Sequence, residues 1–120
     1  MGMYSTFENQ EIEVVNVKVL EKLKKLREDK NLGLYNLIDE DGHVHFEEWD
    51  GHKLEGYWYK ETFEVLKAIS PFITGMAEFT YEKSYKFRII FKKGEVFVQK
   101  EIIKEPIWDK PINISTIQHY

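Results

Sequence analysis

Residues 76–104, MAEFTYEKSYKFRIIFKKGEVFVQKEIIK, decide the fold class. Ala77, Phe79 and Tyr81 alternate with Glu78, Thr80 and Glu82, and Tyr85, Phe87, Ile89 and Phe91 alternate with Lys86, Arg88 and Lys92. Successive side chains of a strand point to opposite faces, so this period of two builds one oily face and one charged face. A two-residue turn at Lys93-Gly94 sets Phe91 beside Val96 and Ile89 beside Val98, while Lys92 meets Glu95 and Lys86 meets Glu101. A three-residue turn at Glu82-Lys83-Ser84 sets Phe79 beside Phe87 and Glu78 beside Arg88. Turn chemistry, alternation and cross-strand charge agree, which predicts an antiparallel three-stranded meander over 76–104.

Working outward, a second meander is expected over 34–59, punctuated by Asp41-Gly42 and Asp50-Gly51. Its alternation puts Tyr35, Leu37, Val44, Phe46 and Tyr57 on one face, with His43, His45, Glu47, Trp49, Leu54 and Trp58 on the other. Two helices separate these units. The first is expected over about 17–30, capped by Asn16 and striped by Val19, Leu20, Leu23 and Leu26; Asn31 and Gly33 would end it. The second is expected over about 61–70, with Phe63, Leu66, Ile69 and Phe72 on its apolar side and Pro71 setting its end. Glu11 to Val15 reads as a short edge strand. Residues 105–120 hold two prolines and weak alternation, so they read as an extended tail anchored by Trp108, able to add an edge strand. The expectation is one α+β domain over 1–120, with both helices on one sheet face.

Composition bounds the chemistry. The chain lacks cysteine, which removes disulfides, thiolate metal sites and a cysteine nucleophile. Its 21 acidic and 17 basic residues give a formal charge of −4, a poor match to nucleic acid, whose phosphates need clustered Lys and Arg. The opening MGMYSTFENQ lacks a basic stretch followed by an apolar run, and no stretch is long enough to span a bilayer, so a cytoplasmic setting is expected. No glycine cluster resembles a phosphate loop, no serine sits in a nucleophile elbow, and no feature asks for a cofactor.

Two candidate sites remain. His43, His45 and Glu47 alternate along an expected strand and would project together, offering two imidazoles and a carboxylate to zinc or another divalent ion. An exposed histidine-rich hairpin needs no metal to exist, and no convergent fourth ligand is readable. Carboxylates at Asp39, Glu40, Asp41, Glu47, Glu48 and Asp50 lie in expected turns or opposite lysine, where solvation explains them better than paired acid–base work. The other site is a surface of Trp49, Trp58 and Tyr59 bordered by Glu47 and Asp50. Aromatic anchors with carboxylates around them suit recognition of a basic protein patch, the rings supplying buried area and the charges steering encounter.

These readings favour a non-catalytic acidic protein-binding module of inhibitor, immunity or regulatory type. The competing reading is a metal- or small-ligand-binding enzyme around His43, His45 and Glu47. Ile90 and Phe97, paired on the charged face of the 76–104 meander, add homodimerisation as a further use of the surface.

Overall fold

The computed structural model describes residues 5–29, 34–48, 60–81, 85–102 and 107–117. In chain order these hold β1 (Ser5–Val14), a 3₁₀ turn (Val17–Val19) leading into α1 (Leu20–Arg27), and the segment 34–48, which ends in a 3₁₀ turn (Phe46–Glu48). Helix α2 (Lys60–Ile69) and a 3₁₀ turn (Ser70–Phe72) follow. The strands β2 (Ile73–Tyr81), β3 (Tyr85–Lys92), β4 (Glu95–Ile102), β5 (Ile107–Trp108) and β6 (Ile112–Asn113) complete the order. Among the described residues the strands form one antiparallel sheet ordered β1-β2-β3-β4-β5, with β6 also paired to β4.

The centre of the sheet follows the alternation of 76–104. Phe79 lies opposite Phe87, Glu78 opposite Arg88, Phe91 opposite Val96, and Lys86 opposite Glu101. Phe79, Phe87, Ile89, Phe91, Val96 and Val98 are buried on one face. They join one cluster with Leu23 of α1, Leu66 and Ile69 of α2, and Leu34, Leu37, Ile38, Val44 and Phe46 of the 34–48 segment. Phe46 locks this segment onto the sheet: its ring stacks on Phe91 at 5.9 Å and meets the edge of Phe79 at 6.1 Å. Each such ring pair is worth about 0.5–1.5 kcal/mol beyond the area it buries.

Strand β1 is longer than the Glu11–Val15 expected from its alternation. A bulge at Glu8 shifts its register against β2, so Phe7 pairs with Phe79 but Gln10 pairs with Ala77, Ile12 with Gly75 and Val14 with Ile73. The extra residue moves the inward parity from odd to even positions. Gly75 makes the close approach possible: its φ is 122°, and a Cβ there would stand 1.8 Å from the carbonyl oxygen of Glu11.

The expected 34–59 meander is corrected. Within 34–48 the only ladder element among the described residues is a single bridge, Ile38 to Val44, and Phe46–Glu48 coil into a 3₁₀ turn. The cause is local competition: the Asp39 carboxylate accepts from the backbone N–H groups of Asp41 and His43, folding the chain into a loop instead of a ladder. The face assignment fares better, with Leu37, Val44 and Phe46 buried. Tyr35 departs from it, lying exposed against the Arg27 guanidinium 4.7 Å away. The Asp50-Gly51 turn and everything from 49 to 59 lie outside the described residues.

Helix α1 stops at Arg27, with Asn31 and Gly33 outside the described residues. Asn16 caps its entry as expected, its side-chain oxygen accepting from Lys18 N–H at 3.0 Å. Helix α2 ends at Ile69, before Pro71. The buried Ser70 hydroxyl donates to Lys67 O or Gly94 O, at 2.9 and 3.0 Å, tying the helix end to the β3–β4 turn.

Candidate functional site

The titratable cluster is built by the loop between Ile38 and Val44. Asp39 N–H donates to His43 O, Gly42 N–H to Asp39 O, and His45 N–H to Leu37 O at 2.7 Å, which fixes the backbone on both sides of the turn. Asp39 then closes the loop with its side chain. Oδ1 accepts from Asp41 N–H (2.9 Å) and His43 N–H (3.0 Å), and Oδ2 lies 2.8 Å from His45 Nε2. Partial burial pushes the Asp39 carboxyl up, but the bonds from His43 N–H, the His45 ring and Asp41 N–H outweigh it and hold it below the usual value. An ionised Asp39 accepts, so His45 Nε2 carries the proton of this bond.

The other ring nitrogen of His45, Nδ1, stands 3.9 Å from Glu47 Oε1. One imidazole therefore lies between two carboxylates. His45 and Asp39 are each 39% exposed, so the arrangement is open to solvent. It sits where two grooves meet: one of about 400 Å³, lined by Tyr35, Asn36, Asp39 and Glu47, and one of about 420 Å³, lined by Gln10, Ile12, Val14 and His43.

Of the sequence-predicted metal set, His45 lies beside Glu47 in one groove and lines the other together with His43. No group of three or more His, Asp or Glu among the described residues is arranged to hold a metal ion. Of the predicted partner surface, Glu47 is exposed, while Trp49, Asp50, Trp58 and Tyr59 lie outside the described residues.

Two residues matter here that the expected ladder hid. Asp39, two positions before Asp41-Gly42, carries the signature of an Asx turn and is the partner of His45. Gln10 faces inward from β1, where its Nε2 donates to Val44 O and its Oε1 accepts from Phe46 N–H, both at 2.9 Å. The amide thus replaces a strand partner for the loop, and joins the loop to β1.

That joint ties the loop to β1, and both segments carry exposed carboxylates. Glu8, Glu11 and Glu13 are exposed on β1, and Glu40, Asp41 and Glu47 are exposed on the loop. Toward the central strands the outer sheet face changes character. There Arg88 donates from Nε to Gln99 Oε1 (2.7 Å), lies 3.5 Å from Glu78, and covers the Trp108 ring at 3.9 Å. Met76, Ile90 and Phe97 form a half-buried row in register beside this network. No described helix is long and apolar enough to cross a membrane. Comparison of the chain with protein-family models, with curated proteins and with solved structures finds no match.

Proposed function

We propose that this chain is a non-catalytic protein-binding module whose acidic side, formed by β1 and the 39–47 loop, recognises a basic partner. The supporting observation is the Gln10 joint, which fastens a strand with exposed Glu8, Glu11 and Glu13 to a loop with exposed Glu40, Asp41 and Glu47. The Asp39–His45 pair fits this reading as a structural clasp, because the carboxylate oxygens already accept from two backbone N–H groups and the ring. Trp49, Asp50, Trp58 and Tyr59 would extend the surface, supplying aromatic anchors next to exposed Glu47. The test is capture from cells of the native source, comparing the wild-type chain with a folded E11K/E13K/E47K variant. A protein retained by the first and lost by the second supports the module. Equal retention by both, or none by either, removes the acidic surface from the argument.

A second reading rests on His45 Nδ1 and Glu47 Oε1, 3.9 Å apart at a groove, as the start of a metal or small-ligand site completed by His43. A ligand bound only by the folded state raises its stability. Zinc titration that gave a saturable thermal shift, abolished in His45→Ala, would favour this reading over the binding module.

A further inference from the structure

We infer that the outer edge of β1, from Asn9 to Val14, which no described strand pairs, is a strand-addition site for an extended partner segment that alternates basic and apolar residues. This rests on the protein-binding reading and adds to it the backbone geometry of recognition. Strand β1 ends the sheet order and pairs only with β2 among the described strands. In an antiparallel pair, alternate residues turn their N–H and C=O groups away from the neighbour, so the outer side of β1 presents a row of donors and acceptors. Among the described residues no backbone group bonds that row; Val15 N–H to Phe72 O, just past the strand, continues the β2 side of the ladder.

Sheet edges are ordinarily blunted by proline, lysine, a bulge or a covering segment. Here the bulge sits at Glu8, and the six residues after it, NQEIEV, keep a regular register and contain neither proline nor lysine. The side chains of that run select the partner. Glu11 and Glu13 are exposed and share the outer face, where cross-strand neighbours of opposite charge stabilise a pair and like charges oppose it. Ile12 and Val14 are half-buried on the other face and line the groove whose far wall is His43 and His45. A segment with Lys or Arg at alternate positions and aliphatic residues between them satisfies both faces. Val15 and Val17, 55% and 74% exposed, continue the apolar surface past the strand end.

A second copy of this chain fits less well. In an antiparallel pairing of two β1 edges that keeps inner face with inner face, residues of equal parity stand opposite each other. Registers centred on Ile12 or its neighbours then set Glu11 or Glu13 against Glu11 or Glu13 of the other chain. The charge pattern therefore selects a basic partner over self-pairing.

The probe is a synthetic peptide, Ac-GKVKIKVG-amide, compared with the same sequence N-methylated at alternate residues on each edge in turn, with a composition-matched Ac-GKKKVIVG-amide, and with a glutamate-for-lysine version. Binding is read by fluorescence anisotropy, and its location by amide hydrogen exchange at residues 9–14. The alternating peptide should slow exchange at alternate amides of that run, and one N-methylated form should bind about tenfold more weakly or worse, each lost ladder bond being worth several-fold. The glutamate peptide should not bind. Equal affinity for the alternating, scrambled and N-methylated peptides would show charge attraction without a ladder and overturn strand addition. So would protection of residues 9–14 that grows with protein concentration in the absence of peptide, which identifies a second copy as the occupant. If the basic peptides fail while E11K/E13K/E47K still abolishes capture from cells, strand addition falls and the binding module stands; loss of that capture difference removes the module itself.

Discussion

Along β4 the chain returns as Ile107–Trp108 and Ile112–Asn113 and takes up the outward side of the strand, whereas along β1 no described segment does the same. Both edges carry a bulge, yet with opposite consequences. At the β4 edge Asp109, Lys110 and Pro111 face only Gln99 and Lys100, since Trp108 pairs with Glu101 and Ile112 with Val98. The irregularity is absorbed by side chains. Asp109 N–H donates to Lys100 O, the Asp109 carboxylate accepts from Lys100 N–H at 2.7 Å, and the Asp109 carbonyl accepts from Gln99 Nε2 at 2.8 Å. A carboxylate thus stands in for a ladder carbonyl, and proline falls where no ladder donor is needed. At the β1 edge the bulge at Glu8 changes which residues face inward, and no described strand pairs the outer side of the run that follows. A bulge in itself neither closes nor opens an edge; what decides is whether a return segment with the right side chains follows.

The largest way to break the contrast is to detach the open edge. Replacing Gly75 with alanine puts a methyl group into the Glu11 carbonyl and forces a side chain onto a φ of 122°. We expect a loss of about 3 kcal/mol in urea unfolding, with faster amide exchange along β1 and little change along β5 and β6. Smaller, and confined to the opposite edge, is Asp109→Ala. It removes the bond accepted from Lys100 N–H, at a cost of about 1 kcal/mol and with faster exchange of the Lys100 amide. Equal stability of this variant and the wild type would show that the tail holds to β4 without its carboxylate.

The smallest effect sharpens the comparison on the loop beside β1. The folded pKa of Asp39 lies below its ordinary value of 3.8, so its contribution is fully present above about that pH and is lost as pH falls through the folded value. Because the side chain is 39% exposed, solvent screening keeps the contribution under about 1 kcal/mol. Stability of the wild type and Asp39→Ala should therefore converge below pH 3.8, with the His43 amide exchanging faster in the variant. A stability gap that widened on acidification would contradict the assigned bonds.

The central strands were legible because their information is local. Phe79 to Val98 alternate without interruption, and the residues of the Lys93-Gly94 turn set the register that the charge pairs then agree with. Strand β1 was half legible, since Glu8 breaks its period and Gln10 puts a polar side chain on the inward face. The 34–48 segment was legible in burial but not in form. Val44 and Phe46 are apolar and end up inside, yet their backbone partners are the side-chain amide of a residue 34 and 36 positions earlier. At the candidate site the loop brings His45 Nδ1 to 3.9 Å from Glu47 Oε1, and His43 and His45 both line the groove beside β1.

By itself the amino-acid order determined the α+β class, the inward row of the central strands and the absence of cysteine chemistry, because alternation, caps and residue inventory act between neighbours along the chain. Tertiary structure alone decided that Gln10 would serve the 34–48 loop, that Asp39 would clasp His45, and that the tail would pair along β4 while no described segment pairs along the outer side of β1. Those outcomes depend on which polar groups meet when distant segments collapse onto one core, and buried polar groups bond to whatever partner the packing brings within reach.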